Sequence, residues 1–191
     1  CETQQLYRLV NFLLNFNYDE IKIILPIEIY SFYKKLDLIL NSSNNNEIDD
    51  FTYWDRATSA KEVYRKKIHP GISGKEKTIH SNKIKEFMQA VKEKLKSGIN
   101  KAFDPNKEMY YTYYINEPTK YSGIKINEFS QKPLPHFLEG QMHALLNEKE
   151  IEKCSRIFEA VKSSDLYDKK LKMYKVNESL EDCSYEIGRA R

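Results

Sequence analysis

The chain holds 191 residues, with 31 basic and 28 acidic side chains, a formal net charge of +3, and 40% hydrophobic content. So even a charge balance argues against a dedicated nucleic-acid or polyanion binder, which needs a larger, clustered basic excess, and this much apolar content excludes wholesale disorder. No apolar run approaches the roughly 20 residues of a membrane-spanning helix, and Cys1, Cys154 and Cys183 cannot all pair within the chain, which favours a reducing, cytoplasmic setting over a disulfide scaffold.

Taken in chain order, Leu6, Leu9, Val10, Leu13 and Leu14 recur at spacings of three and four and predict a helix over residues 3–16. The β-branched run Ile21, Ile23, Ile24, Leu25 predicts a short strand stopped by Pro26. Helical spacing returns over 27–40 through Ile29, Phe32, Tyr33, Leu36, Ile39 and Leu40. The polar tract Asn41 to Asn46 reads as a linker. A third helix is expected from about Asp55 to Ile68, ended by Pro70-Gly71. The clearest helix starts at Ser81 or Asn82, with Ile84, Phe87, Met88, Val91, Leu95 and Ile99 on one face.

From Met109 to Phe129, tyrosines and isoleucines punctuated by Pro118 and Gly123 predict a β-excursion. Pro135 suits the start of a helix reaching Leu146. Ile151, Cys154, Ile157, Phe158 and Val161 mark another over 148–162. Loops or short helices follow to Leu180, and Ser184 to Arg191 has helical character without a terminal cap. No repeat shows at a fixed period. The opening stretch also reads as the middle of a helix, so an internal piece of a longer protein is expected, with a leader peptide left open.

Gly71-Ile72-Ser73-Gly74-Lys75 hints at a phosphate loop. The Walker pattern needs four residues between its glycines and Ser or Thr after the lysine, so an ordinary loop is the better reading. His136 and His143, on one helix, lie about two turns and roughly 10 Å apart. One zinc holds its ligands within about 4 Å, so no metal is expected. The tyrosines of 109–121 suit sugar or base stacking, and equally half-buried strands. Among the acids Glu139, Asp165, Asp168, Glu178 and Glu186, Glu139 stands out between Phe137-Leu138 and Gly140, as a helix-dipole partner or a site residue.

Three stretches carry a family likeness: Tyr53-Trp54-Asp55-Arg56-Ala57 with Ala60-Lys61-Glu62-Val63-Tyr64-Arg65; Leu134-Pro135-His136-Phe137-Leu138-Glu139-Gly140; and Ser164-Asp165-Leu166-Tyr167-Asp168-Lys169-Lys170-Leu171-Lys172-Met173-Tyr174 with Glu186-Ile187-Gly188-Arg189-Ala190-Arg191. Over roughly residues 50–191 the chain resembles the cellobiose phosphorylase-like proteins, inverting carbohydrate phosphorylases. The resemblance implies a mainly α fold: linker helices and the first helices of an (α/α)6 barrel, with a small β-excursion. Its template divides the chain into the end of an upstream domain at 1–47, a helical linker at 48–104, the excursion at 105–134 and a truncated barrel start at 135–191.

The implied reaction cleaves a β-linked glucan or disaccharide with inorganic phosphate as co-substrate, giving a sugar 1-phosphate, without any other cofactor. An inverting hydrolase needs an acid and a base; here phosphate brings its own charge, so one general acid and a cationic phosphate site suffice. No segment unites them, which places the general acid outside this chain and leaves the piece inactive alone. Glu139, Glu186 and Arg189 are the candidate substrate-binding residues, with carbohydrate and phosphate as partners and neither nucleic acid nor membrane. The alternatives are a non-catalytic helical binding or interaction module and a barrel glycoside hydrolase using water.

Overall fold

A computed structural model describes residues 1–16 and 21–181. The described residues form six helices and eight strands, 53% helix and 21% strand, the strands paired into four two-stranded antiparallel sheets. This mixed α/β architecture overturns the expectation of a mainly α fold opening into an (α/α)6 barrel. The two smallest sheets, β-pairs of two-residue strands, and the polar partner of the Ile23–Leu25 strand carry no clear apolar signature in the sequence. The helix expected over Ser184 to Arg191 lies outside the described residues, and among the described residues no helix is long and apolar enough to cross a membrane. The chain divides into two units, Leu6–Gly98 and Cys1–Gln5 with Ile99–Arg191.

The first unit runs from Leu6 within α1 (Glu2–Leu14) through β1 (Lys22–Pro26), α2 (Ile27–Asn44), α3 (Asp50–Ile68) and β2 (Glu76–His80) to Gly98 within α4 (Ser81–Lys101). Pro26 closes β1 and, with φ of −52°, serves directly as the N-cap residue of α2. Strand β2 pairs with β1 from Lys22 opposite His80 to Pro26 opposite Glu76, and of its side chains only Ile79 is buried. A strand this polar carries little periodic signal. Helix α2 runs on into the Asn/Ser tract that reads as a linker. Its end is held by tertiary bonds: Asn44 donates to the Ala90 carbonyl at 2.9 Å and Lys94 to Ser43 Oγ at 2.8 Å. Asp49 caps α3 by accepting from the Thr52 N–H at 2.7 Å, starting that helix earlier than its apolar spacing indicates. Stacked Phe32 and Tyr64, and edge-on Tyr33 and Phe87, lock the helices together. The Gly71–Lys75 loop turns on two left-handed glycines, φ 109° at Gly71 and 75° at Gly74, and its Ser73 N–H donates to the buried Glu28 carboxylate at 3.1 Å. The loop's donor thus goes to the chain's own acid.

The second unit contains β3 (Phe103–Asp104), β4 (Met109–Tyr110), β5 (Tyr114–Ser122), β6 (Lys125–Pro133), α5 (Leu138–Asn147), α6 (Ile151–Ser163), β7 (Tyr167–Asp168) and β8 (Met173–Tyr174). The β5–β6 hairpin is the expected excursion, irregular between Pro118 and Tyr121, and it turns at Gly123 with φ of 62°. Buried Met109, Val161 and Leu166 form one core cluster with Leu138 and Ala160 packed on it; Tyr110, Ala144 and Ile157 form a second with Ile99, Ala102, Phe103 and Leu145.

The two small hairpins are copies of each other at a constant offset in the sequence. Phe103, Asp104, Met109 and Tyr110 match Tyr167, Asp168, Met173 and Tyr174 in the same pairing. In each, the aspartate Oδ1 caps the turn, accepting from Asn106 N–H in one and from Lys170 and Leu171 N–H in the other, all at 2.9 Å. In each, the residue before the methionine is left-handed, Glu108 with φ of 51° and Lys172 with φ of 55°. Each closes with an equivalent backbone bond, Tyr111 N–H to Ala102 and Lys175 N–H to Leu166. The repeat escaped the sequence reading because its turns use Glu and Lys where glycine is the usual marker. Burial separates the copies: Met109 is 1% exposed beneath α5 and α6, whereas Met173 is 62% exposed.

Helix α5 is pinned to β4 by one side chain. Gln141, fully buried, accepts from the Tyr110 N–H at 2.8 Å and donates to the Tyr110 carbonyl at 2.7 Å. Gly140 permits the approach, since a Cβ there would collide with Thr112 Oγ1 and lie 3.5 Å from the Tyr110 carbonyl. Replacing Gln141 by Leu strands both Tyr110 groups and is expected to cost about 1–3 kcal/mol for each in urea unfolding. Gly140→Ala is expected to cost about 1–3 kcal/mol by overpacking, with an unchanged denaturant slope.

Candidate functional site

The Leu134–Gly140 stretch does not begin α5 at Pro135; Pro133 and Pro135 hold it extended as far as Phe137. Phe137 then bridges to Asn177, with Leu138 N–H on the Val176 carbonyl at 2.8 Å and Glu178 N–H on the His136 carbonyl at 2.9 Å. This short ladder sets His136 against Glu178. His136 is 1% exposed. Its backbone N–H donates to Glu178 Oε2 at 3.0 Å, and its Nδ1 lies 3.0 Å from the same oxygen. A carboxylate can only accept, so Nδ1 carries the hydrogen. Lys107 Nζ donates to both Glu178 oxygens, at 3.1 and 3.2 Å. On the other side of the ring, Nε2 stands 3.7 Å from Asp104 Oδ2. The Tyr111 ring stacks on His136 at 4.6 Å, and its hydroxyl donates to that same Asp104 oxygen at 2.9 Å.

The electrostatics follow from these bonds. Burial pushes the Asp104 carboxyl up, but the Tyr111 hydroxyl, the N–H groups of Asn106 and Lys107, and His136 outweigh it and hold it below its ordinary 3.8. Glu178 shows the same balance: burial raises it, while the N–H and ring of His136 and the Lys107 ammonium bring it below 4.5. Tyr111 is pushed up to about 12 by burial and by the charge and hydrogen bond of Asp104. Both acids are therefore committed as acceptors, which suits a structural joint more than proton donation.

The joint forms one wall of a cleft of about 780 Å³. Lys107 and Glu178 stand on that wall, Arg156 and Glu159 belong to α6, and Ser164 and Asp165, just after that helix, also line the cleft. Ala160 supplies apolar surface over the buried Met109. The lining carries two cations, Lys107 and Arg156, against four acids, Glu108, Glu159, Asp165 and Glu178. Both cations are already paired, Lys107 with Glu178 and Arg156 with Glu108 at 3.5 Å. Interleaved donors and acceptors of this kind fit the hydroxyls of a neutral polyol better than a free anion.

Of the sequence candidates, Glu139 sits in the first turn of α5, away from the cleft lining. Its Oε2 accepts from Tyr113 OH at 3.0 Å, and the Tyr113 ring meets Phe137 edge-on at 4.8 Å. Glu186 and Arg189 lie outside the described residues. His136 and His143 do not share a helix, because α5 starts after His136. Among the described residues the His/Cys/acid group close enough to hold an ion is instead Cys1, Glu139 and His143, their ligand atoms within 4.8 Å of one another. Sequence reading missed Asp104, for which the repeated aromatic–Asp pair is the signal, and took Tyr111 only as one of the tyrosines of 109–121. No family model and no curated protein sequence matches the chain.

Asp104 and Glu178 bind protons less tightly folded than unfolded, so they stabilise the native state above their ordinary values and the gain is lost as pH falls below them. Stability is expected to be flat near neutrality and to drop below about pH 4.5, the ordinary value of the higher of the two. Asp104→Asn is expected to lower stability by about 1–3 kcal/mol at pH 7 and to flatten the acid limb, as read by thermal melts from pH 7 to 3.

Proposed function

We propose that this chain is a carbohydrate-handling part of a glycoside phosphorylase that cleaves a β-linked glucan or disaccharide with inorganic phosphate. In such a reaction phosphate attacks the anomeric carbon as the bond to the leaving oxygen breaks, and a general acid protonates that oxygen. The role assigned to these residues is to hold a sugar unit, with the general acid and the phosphate site contributed from outside the described residues. The reading rests on the three motif stretches, and the observation that carries it is that the second and third of them meet at one cleft. Ser164 and Asp165 of the third stretch line it, and His136 of the second holds Glu178 at its wall.

The composition of the lining supports a sugar over phosphate at this position. Arg156, Glu159, Ser155, Ser163 and Ser164 offer donors and acceptors beside the apolar surface of Ala160. Lys107 and Arg156 are both engaged by acids of the lining, which leaves neither cation to hold a phosphate. Cys1 and Cys154 carry free thiols, which fits a reducing, cytoplasmic setting.

Titration of the isotope-labelled chain with cellobiose and longer β-glucan oligosaccharides is expected to move the amide signals of residues 106–109, 155–160 and 163–165, with a Kd of order 1 mM. Arg156→Ala is expected to weaken binding about fivefold to tenfold, the share of one hydrogen bond. Shifts that ignore the cleft, or inorganic phosphate binding there in place of sugar, reject the assignment. For the whole enzyme, sugar 1-phosphate release that depends on added phosphate is the expected result; equal turnover without phosphate identifies a hydrolase.

A further inference from the structure

We infer that Cys1, Glu139 and His143 form a binding site for a borderline-soft divalent metal ion, zinc above others. This inference is independent of the carbohydrate reading. Glu139 and His143 stand four residues apart on α5, one turn of helix, so both project from the same face. Cys1, immediately before α1, brings its sulfur to that face. The three ligand atoms lie within 4.8 Å of one another, with Glu139 Oε1 3.9 Å from His143 Nε2. Bonds of about 2.0–2.3 Å to a common tetrahedral ion hold ligand atoms roughly 4 Å apart or less, so small side-chain rotations close the set.

Two further contacts bear on the ligands. Gln5 Nε2 lies 3.0 Å from His143 Nε2. An amide nitrogen can only donate, so the ring nitrogen there carries a lone pair that accepts from Gln5, and a metal takes that lone pair as the amide turns away. Tyr113 OH holds Glu139 Oε2 at 3.0 Å, leaving Oε1 turned toward the imidazole. Such outer contacts fix ligand orientation at metal centres. Cys1 and His143 are half-buried while Glu139 is exposed, so the site has a protein side and a solvent side.

The donor set selects the ion. One thiolate, one imidazole and one carboxylate suit zinc, and disfavour calcium and magnesium, which want oxygen ligands alone. Three protein ligands leave a fourth position for water or a small ligand. Cys1 binds as thiolate and releases its proton to solvent.

The test titrates Zn²⁺ and Co²⁺ into the full chain carrying one extra residue before Cys1, so that no cysteine α-amino group assists chelation. One equivalent of Zn²⁺ is expected to bind and raise Tm, and the Co²⁺ form to show a thiolate charge-transfer band with intense visible bands of a four-coordinate ion. Cys1→Ser is expected to abolish the charge-transfer band. His143→Asn is expected to weaken Zn²⁺ by more than the roughly 10–100-fold that loss of an outer-shell partner costs. Cys154→Ser is expected to change neither, and circular dichroism checks each variant's fold. A Co²⁺ spectrum of the unmutated chain without thiolate character overturns the inference, as does a band lost in Cys154→Ser or Zn²⁺ affinity unchanged in both Cys1→Ser and His143→Asn.

Discussion

Strand β4 is two residues long and pairs with β3 alone, which leaves the Tyr110 N–H and carbonyl facing the interior. A buried peptide group without a partner costs about as much as a lost hydrogen bond, so something must complete that edge. The Gln141 amide does it, offering one acceptor and one donor at the spacing of a neighbouring strand. Gly140 beside it removes the Cβ that would hold α5 off. With α5 fixed in this way, Leu138, Ala144 and Leu145 fall onto the two core clusters of the second unit, and the extended residues just before the helix are delivered to Glu178.

The second constraint is electrostatic. His136 is buried between two acids that are themselves saturated, Asp104 by Tyr111 and backbone N–H groups, Glu178 by Lys107 and the His136 backbone. Buried charge becomes costly when a partner is removed. The joint therefore ties together segments far apart in sequence, around residues 104–111, 136 and 178. It also separates structural acids from exposed ones: Glu159 and Asp165 stand on the cleft with exposed lysine partners and Glu139 is exposed on α5, whereas Asp104 and Glu178 serve as anchors.

The duplicated hairpin explains why this part of the chain reads poorly as periodicity. A two-residue strand gives no alternation to detect, and both turns place a charged residue at a left-handed position where Glu or Lys is unremarkable in sequence. Once aligned, the Asp-capped turns and the Met–Tyr strands match position for position. The same side chains then meet different surroundings. Met109 and Tyr110 are core, while Met173 and Tyr174 stand largely exposed, so the repeat encodes a local shape and the tertiary context decides its burial.

What the residues determined by themselves was local: the stripes of α1, α4 and α6, the stop at Pro26, the excursion around 114–133 and the helix-start position of Glu139 all follow from period, proline and propensity. Helix α2 outran its apolar pattern because Asn44 and Ser43 found partners on α4. Strand β2 exists because β1 offers it an edge, and together with the small hairpins it turned an expected helical architecture into a mixed one. Tertiary structure alone decided that His136 meets Glu178 and Asp104, that Gln141 serves as a strand, and that Cys1 lies beside His143. Those pairings join residues tens to more than a hundred positions apart, and no helical or strand period relates positions so distant; only the packed chain brings their polar atoms within bonding range.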